Sequence, residues 1–86
     1  MAKVEIYSSA LCGFCRAAKQ VLSAKGVEFQ EYSVDRDPTV RGEMTTRAGG
    51  RTSVPQIFVN DVHVGGFDDM MELEADDKLD TLLEMN

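Results

Sequence analysis

No stretch of this 86-residue sequence approaches the roughly 20 consecutive apolar residues that a membrane-spanning helix requires. A transmembrane helix is therefore excluded. Positive charge is also short: nine Lys and Arg face fifteen Asp and Glu, a formal net charge of −6. Proteins that grip nucleic acid through its phosphates need a basic surface, so general nucleic-acid binding is excluded. Cysteine and histidine are scarce, with only Cys12, Cys15 and His63. A tetrahedral zinc site takes four ligands, more than one such chain supplies. Repeats, linkers and low-complexity stretches are absent. The 43% hydrophobic and 28% charged content is that of an ordinary globular protein, not of a disordered or collagenous chain.

What is present fits one domain spanning residues 1–86. A chain of this size buries about 60–65% of the surface it exposes when unfolded, enough for a small core. The acidity is uneven. Residues 68–86 hold eight acids against Lys78, a formal −7, and residues 1–67 come out at +1. The acidic segment reads as a solvated helical surface, which leaves the rest of the molecule free to present a locally positive site. Near the N-terminus Glu5 interrupts the apolar run, so no signal-peptide core is expected. The expected location is the cytoplasm, where structural disulfides are rare.

The hydrophobic period changes along the chain. Val4, Glu5, Ile6 and Tyr7 alternate apolar with less buried positions and predict a first strand. Phe14, Ala17, Ala18, Val21 and Leu22 form the stripe of an amphipathic helix, stopped at Lys25-Gly26. Residues 27–34, rich in β-branched and aromatic side chains, predict a second strand. Asp37-Pro38 starts a helix carrying Val40, Met44 and Ala48, ended by Gly49-Gly50. Residues 56–59 and 62–64 flank Asn60-Asp61, a tight hairpin turn. After Gly65-Gly66 comes a helix with Phe67, Met70, Met71 and Glu74. Asp76 or Asp77 is expected to cap a last turn carrying Leu79, Leu82 and Leu83. The order β-α-β-α-β-β-α predicts an α/β fold: a parallel pair joined by a right-handed crossover, an antiparallel hairpin, and helices on both faces of a mixed sheet.

The cysteine pair Cys12-Gly13-Phe14-Cys15 falls where the first strand hands over to the first helix. Unpaired N–H groups and the helix dipole favour negative charge there. They stabilise a thiolate at Cys12, and the thiolate is the nucleophile. Cys15 is three residues on and in register with Ala18 and Leu22, so it is expected to be buried. That asymmetry predicts Cys12 as attacking and Cys15 as resolving thiol. Two cysteines serving only as core residues would have no reason to sit at a helix start with this spacing.

With these segments in place, nearly the whole chain resembles the glutaredoxins, most closely the small bacterial dithiol glutaredoxin 3 type. The resemblance runs through Val4-Glu5-Ile6-Tyr7, the Cys12–Cys15 motif, Lys25-Gly26-Val27, Ser53-Val54-Pro55-Gln56-Ile57-Phe58 and Gly65-Gly66-Phe67-Asp68-Asp69. It implies a thioredoxin fold with a four-stranded mixed sheet. It also implies glutathione-dependent reduction of protein–glutathione mixed disulfides and protein disulfides. By resemblance Val54-Pro55 is the family's valine–cis-proline pair. The valine backbone would pair with glutathione like an added strand. Gly66-Phe67-Asp68 would receive the γ-glutamyl end, its carboxylate on backbone N–H groups and its ammonium on Asp68. Asp69 is expected to act as a first-turn helix acid. Phe14 stands where the family has tyrosine and would shield the sulfur and glutathione.

Ser9 is the largest departure, because many glutaredoxins carry a lysine there. Arg16, Lys19, Arg41, Arg47 and Arg51 are the available cations, each expected to be a solvated surface charge. Arg51 is ranked first as a glutathione contact because it abuts Ser53-Val54-Pro55. His63 is expected to be a strand residue with no chemistry. The resemblance implies no tightly bound cofactor, glutathione as co-substrate, and a monomer. An alternative stays open: Gly13, where many relatives have proline, fits a dimer in which two Cys12 thiolates and two glutathiones hold a [2Fe–2S] cluster. A redoxin served by thioredoxin reductase is a third possibility, against which Gly66-Phe67-Asp68 speaks.

Overall fold

The structure is a computed structural model and describes residues 2–85. Its elements run β1 (Val4–Ser8), α1 (Gly13–Ala24), β2 (Gln30–Ser33), α2 (Pro38–Arg47), β3 (Gln56–Val59), β4 (Val62–Gly65), α3 (Phe67–Ala75) and a final turn α4 (Leu79–Leu82). The sheet order is β2-β1-β3-β4. β1 pairs parallel with β2 and antiparallel with β3, and β3 pairs antiparallel with β4. This is the thioredoxin-type mixed sheet.

Two apolar clusters flank it. On one face Val4, Ile6, Ile57 and Val59 meet Ala18 and Leu22 of α1, Met70 of α3 and Leu79 of α4. On the other, Tyr7 and Phe58 meet Met44 and Ala48 at the α2 end. Helices thus cover both faces, as the two helical periods require. Leu22, wholly buried, contributes about 1.5–3 kcal/mol by leaving water.

Local chemistry explains the turns. The Asp37 carboxylate accepts from the Thr39 amide at 2.9 Å, capping α2, and Pro38 takes the first helical position. Asn60 and Asp61 have φ of 51° and 66°, the left-handed pair of a two-residue hairpin. The Asn60 side chain accepts from the Lys3 amide at 2.8 Å, which fastens the hairpin to the start of β1.

Several sequence expectations need correction. All of β1 is buried, Glu5 included, so it does not alternate. β2 spans four residues rather than eight and is largely exposed, as an edge strand must be. Phe14 leaves the stripe of α1, which buries Cys15, Ala18 and Leu22 instead. Neither Asp76 nor Asp77 caps the last turn: Asp76 closes α3, Asp77 adopts φ 58°, and Lys78 precedes α4. Among the described residues no helix is long and apolar enough to cross a membrane.

Candidate active site

Parallel strand β1 delivers the chain to the N-terminus of α1, and Cys12 is the residue at the junction. Its backbone is extended, with φ −110° and ψ 108°, while the next residue is helical. The Cys12 sulfur accepts from the Cys15 amide at 3.1 Å, in the place of a capping oxygen. Cys15 is completely buried and Cys12 is half-buried. The sulfurs are within disulfide contact, with the Cα atoms 5.2 Å apart. The first turn of α1 carries no acid to oppose a negative sulfur.

The Ser53–Pro55 loop faces this junction. Its Val54–Pro55 peptide bond is cis, and the Val54 carbonyl oxygen lies 3.7 Å from the Cys12 sulfur. Beside it opens a cleft of about 220 Å³. Phe14 of α1 and Phe67 of α3 stack across its rim, ring centres 5.9 Å apart. Arg51, Ser53, Val54 and Pro55 form one wall, and Gly66, Phe67, Asp68 and Asp69 form the other. The eight residues picked from the sequence as glutathione contacts therefore surround a single cleft. Asp69 joins them.

Asp68 and Asp69 differ sharply. The Asp69 carboxylate accepts from the Gly66 amide at 2.8 Å and from Arg51 at 3.0 Å. The Gly66 amide first, and Arg51 second, hold its carboxyl below the usual range. It is thus the third-position acid that folds back on the helix start. Gly65 makes room for it: φ there is 114°, and a Cβ would run into that carboxylate. Asp68 is exposed and has no hydrogen bond or ion pair among the described residues. The amides of Phe67 and Asp68 belong to the first turn of α3 and have no intrahelical partner. The cleft therefore offers an anion site and a free carboxylate side by side.

The other cations separate. Arg47 is no solvated charge: its guanidinium bonds Glu5 at 3.0 Å and the Tyr7 hydroxyl at 2.9 Å, and lies 4.1 Å above the Phe58 ring. Lys19 pairs with Glu31 at 2.7 Å. Arg41 donates to the Thr52 carbonyl at 2.8 Å, bracing the loop before Ser53. Arg51 is half exposed and held by Asp69. Arg16 has no ion pair among the described residues; it lines a separate groove that also reaches Cys12.

Ser9 has a definite role that the sequence did not suggest. Its hydroxyl donates to Asp35, which also accepts from the Ala10 amide at 2.8 Å. The Ser9 hydroxyl chiefly, and then the Ala10 amide, keep the Asp35 carboxyl below its ordinary value. Asp35 follows β2 and pins the loop that carries Cys12. No local pattern marks it, because the contact spans 26 positions.

Comparisons with known proteins agree with this architecture. The glutaredoxin family model matches residues 4–64. A probable glutaredoxin of Synechocystis sp. is 51% identical over 82 residues, covering 95% of this chain and 93% of the relative. Glutaredoxin 3 of Escherichia coli (strain K12) is 50% identical over 84 residues, covering 98% and 100%. The solution structure of a glutaredoxin from Brucella melitensis superposes with a TM-score of 0.86 at 46% identity, covering 99% of this chain and 91% of that one. A buckwheat glutaredoxin–glutathione complex superposes with a TM-score of 0.88 at 26% identity, covering 96% and 77%. A likeness that runs the length of the chain, joined to a cysteine pair at a strand–helix junction, places this protein in the glutaredoxin family of thiol–disulfide oxidoreductases, alongside the bacterial glutaredoxin 3 type.

Proposed function

We propose that this protein uses glutathione to reduce protein–glutathione mixed disulfides through Cys12, and protein disulfides through Cys12 and Cys15 together. The observation that carries the proposal is the cleft beside Cys12. The free Asp68 carboxylate and unpartnered α3 amides suit the ammonium and carboxylate at one end of glutathione. The Val54 carbonyl, 3.7 Å from the Cys12 sulfur, suits backbone pairing with its cysteinyl unit. The buckwheat relative, structurally alike, is a complex with glutathione.

The chemistry follows from the asymmetry of the two sulfurs. The reduced Cys12 thiolate attacks the glutathionyl sulfur of the mixed disulfide. The Cys12–glutathione bond forms, the bond to the protein sulfur breaks, and the protein leaves as a thiolate that takes a proton from water. A second glutathione thiolate then attacks the adduct, forming glutathione disulfide and restoring Cys12. Alternatively Cys15 loses its proton and attacks the Cys12 sulfur, releasing glutathione and closing the Cys12–Cys15 bond. A protein disulfide is reduced in the same way. Cys12 takes one sulfur, Cys15 displaces the substrate as a dithiol, and two glutathiones reopen the pair.

A coupled assay with glutathione, glutathione reductase and a glutathionylated peptide tests this. Turnover that saturates in the peptide is the expected result. No turnover with glutathione, together with turnover when thioredoxin reductase replaces it, would overturn the proposal.

Ser9 gives a sharper expectation. A lysine at this position faces the Asp35 carboxylate, which would pair with it and cancel most of its field at Cys12. Ser9→Lys should therefore leave the thiolate titration of Cys12 nearly unmoved. Ser9→Lys with Asp35→Asn should shift it to lower pH. Thiolate absorbance against pH is the measurement. A full downward shift in the single variant would show that Asp35 does not hold the new cation.

A further inference from the structure

His63 was expected to have no chemistry, yet it begins a chain of hydrogen bonds that ends in the cleft. Its Nε2 lies 2.7 Å from Gln56 Oε1, and its ring stacks on Phe58 with centres 5.0 Å apart. Gln56 is wholly buried at the start of β3. The Gln56 amide nitrogen donates to the Ser53 carbonyl at 3.0 Å and to the Ser53 hydroxyl oxygen at 3.3 Å.

The direction of this chain is fixed by elementary valence. A carbonyl oxygen only accepts, so the nitrogen of the Gln56 amide must face Ser53 and its oxygen must face His63. His63 Nε2 is then a donor. Burial first, and Arg51 second, lower the His63 pKa, so at neutral pH the ring is the uncharged Nε2–H form. At the far end the Ser53 oxygen accepts from Gln56 and keeps its own hydrogen for another partner. Ser53 lines the cleft. N–H bonds therefore point from His63 to Gln56 and from Gln56 to Ser53, which leaves the Ser53 hydroxyl hydrogen available to an acceptor in the cleft.

We infer that His63 is a positioning residue, which through buried Gln56 sets the Ser53 hydroxyl as a hydrogen-bond donor to an oxygen of bound glutathione. The inference rests on the glutathione reading of the cleft. It adds a contact that depends on a residue outside the cleft, on the edge strand β4.

The test uses His63→Phe, which keeps a ring against Phe58 but has no donor, and His63→Gln, which keeps an N–H donor. The substrate is a glutathionylated peptide in the coupled assay. His63→Phe should raise KM about three- to tenfold, the worth of one hydrogen bond, with kcat little changed. His63→Gln should recover most of the loss. Ser53→Ala should raise KM by a similar factor, and adding His63→Phe to it should change nothing further. An unchanged KM in His63→Phe, or effects that multiply in the double variant, would overturn the inference while parental turnover upholds the glutathione reading. Absence of turnover in the parent removes both. A second measurement needs no variant: nitrogen NMR of the parent should show the neutral His63 ring protonated on Nε2. A proton on Nδ1 instead would contradict the chain outright.

Discussion

Cys12→Ser is expected to abolish thiol transfer, while Cys15→Ser keeps deglutathionylation and loses the reduction of protein disulfides. The difference lies in where the two sulfurs sit. Cys12 is half-buried at the helix start, with the Cys15 amide aimed at its sulfur at 3.1 Å. That amide and the open first turn of α1 stabilise negative charge on sulfur, which is why Cys12 is the proposed nucleophile. Cys15 is wholly buried, shielded from any external disulfide, and its sulfur is within disulfide contact of the Cys12 sulfur. The role proposed for it is to close on Cys12. External glutathione can replace it in clearing a Cys12–glutathione adduct, whereas nothing replaces the intramolecular closure by which Cys15 releases a protein bound to Cys12. Rates with a glutathionylated peptide and with a protein disulfide, measured on both variants, separate the two roles. Equal loss of deglutathionylation in both would show that the assignment is wrong.

Arg47→Met should lower stability by about 2–3 kcal/mol, the largest effect expected from a residue outside the cleft. Glu5 lies in β1 with only 11% of its side chain exposed. Its charge is met by Arg47 at 3.0 Å and by the Tyr32 hydroxyl at 2.9 Å. Methionine preserves the contact with Phe58 but leaves the carboxylate with only the Lys3 ammonium at 4.0 Å and the Tyr32 hydroxyl. Removing one partner of a fully buried pair costs about 3–5 kcal/mol, and the figure is reduced here because Arg47 is 24% exposed. For a domain of this size the loss corresponds to about 10–20 °C in melting temperature.

The pH dependence gives the sign. Arg47 chiefly, then Tyr32, hold the Glu5 carboxyl below its ordinary value of 4.5 in the folded protein. Its contribution is therefore complete above the ordinary carboxylate range and is lost as pH falls through the lower folded value. In Arg47→Met the largest lowering cause is gone, so the Glu5 pKa moves up from its parental value and this pH-dependent stabilisation shrinks. The gap between parent and variant should be widest near neutral pH and narrower at about pH 3, below the ordinary carboxylate range. Melting curves at both pH values check this. A gap that stays constant would mean that Arg47 acts through packing rather than charge.

Residues whose structural cause is local were legible in the sequence. The Asp37-Pro38 helix start, the Asn60-Asp61 turn and the stripe of Cys15, Ala18 and Leu22 all formed as their patterns dictate. Residues whose cause is distant were misread. Glu5 looked like the less buried position of a strand because its partner Arg47 is 42 positions away. Arg47 looked like a solvated cation for the same reason. Ser9 looked like a lost charge, when it is the near end of a bond to Asp35. His63 and Gln56, seven positions apart on adjacent strands, show no periodic mark of the bond between them. The cleft itself joins three separated segments, residues 14, 51–55 and 66–69. Spacing alone does not gather them; the family resemblance did, and the fold shows the means. Pairing β1 with β3 sets the Ser53–Pro55 loop against Cys12, and the β3–β4 hairpin brings the start of α3 to the same end of the sheet.

Cys12 is the sulfur proposed to carry glutathione. Reduced Cys15→Ser protein, mixed with one equivalent of a glutathionylated peptide, has no second cysteine to discharge the adduct. Intact-mass and peptide mass spectrometry should then find one glutathione on Cys12 and the freed peptide thiol in equal amount. A peptide–Cys12 adduct with free glutathione in solution, or no adduct at all, would contradict it.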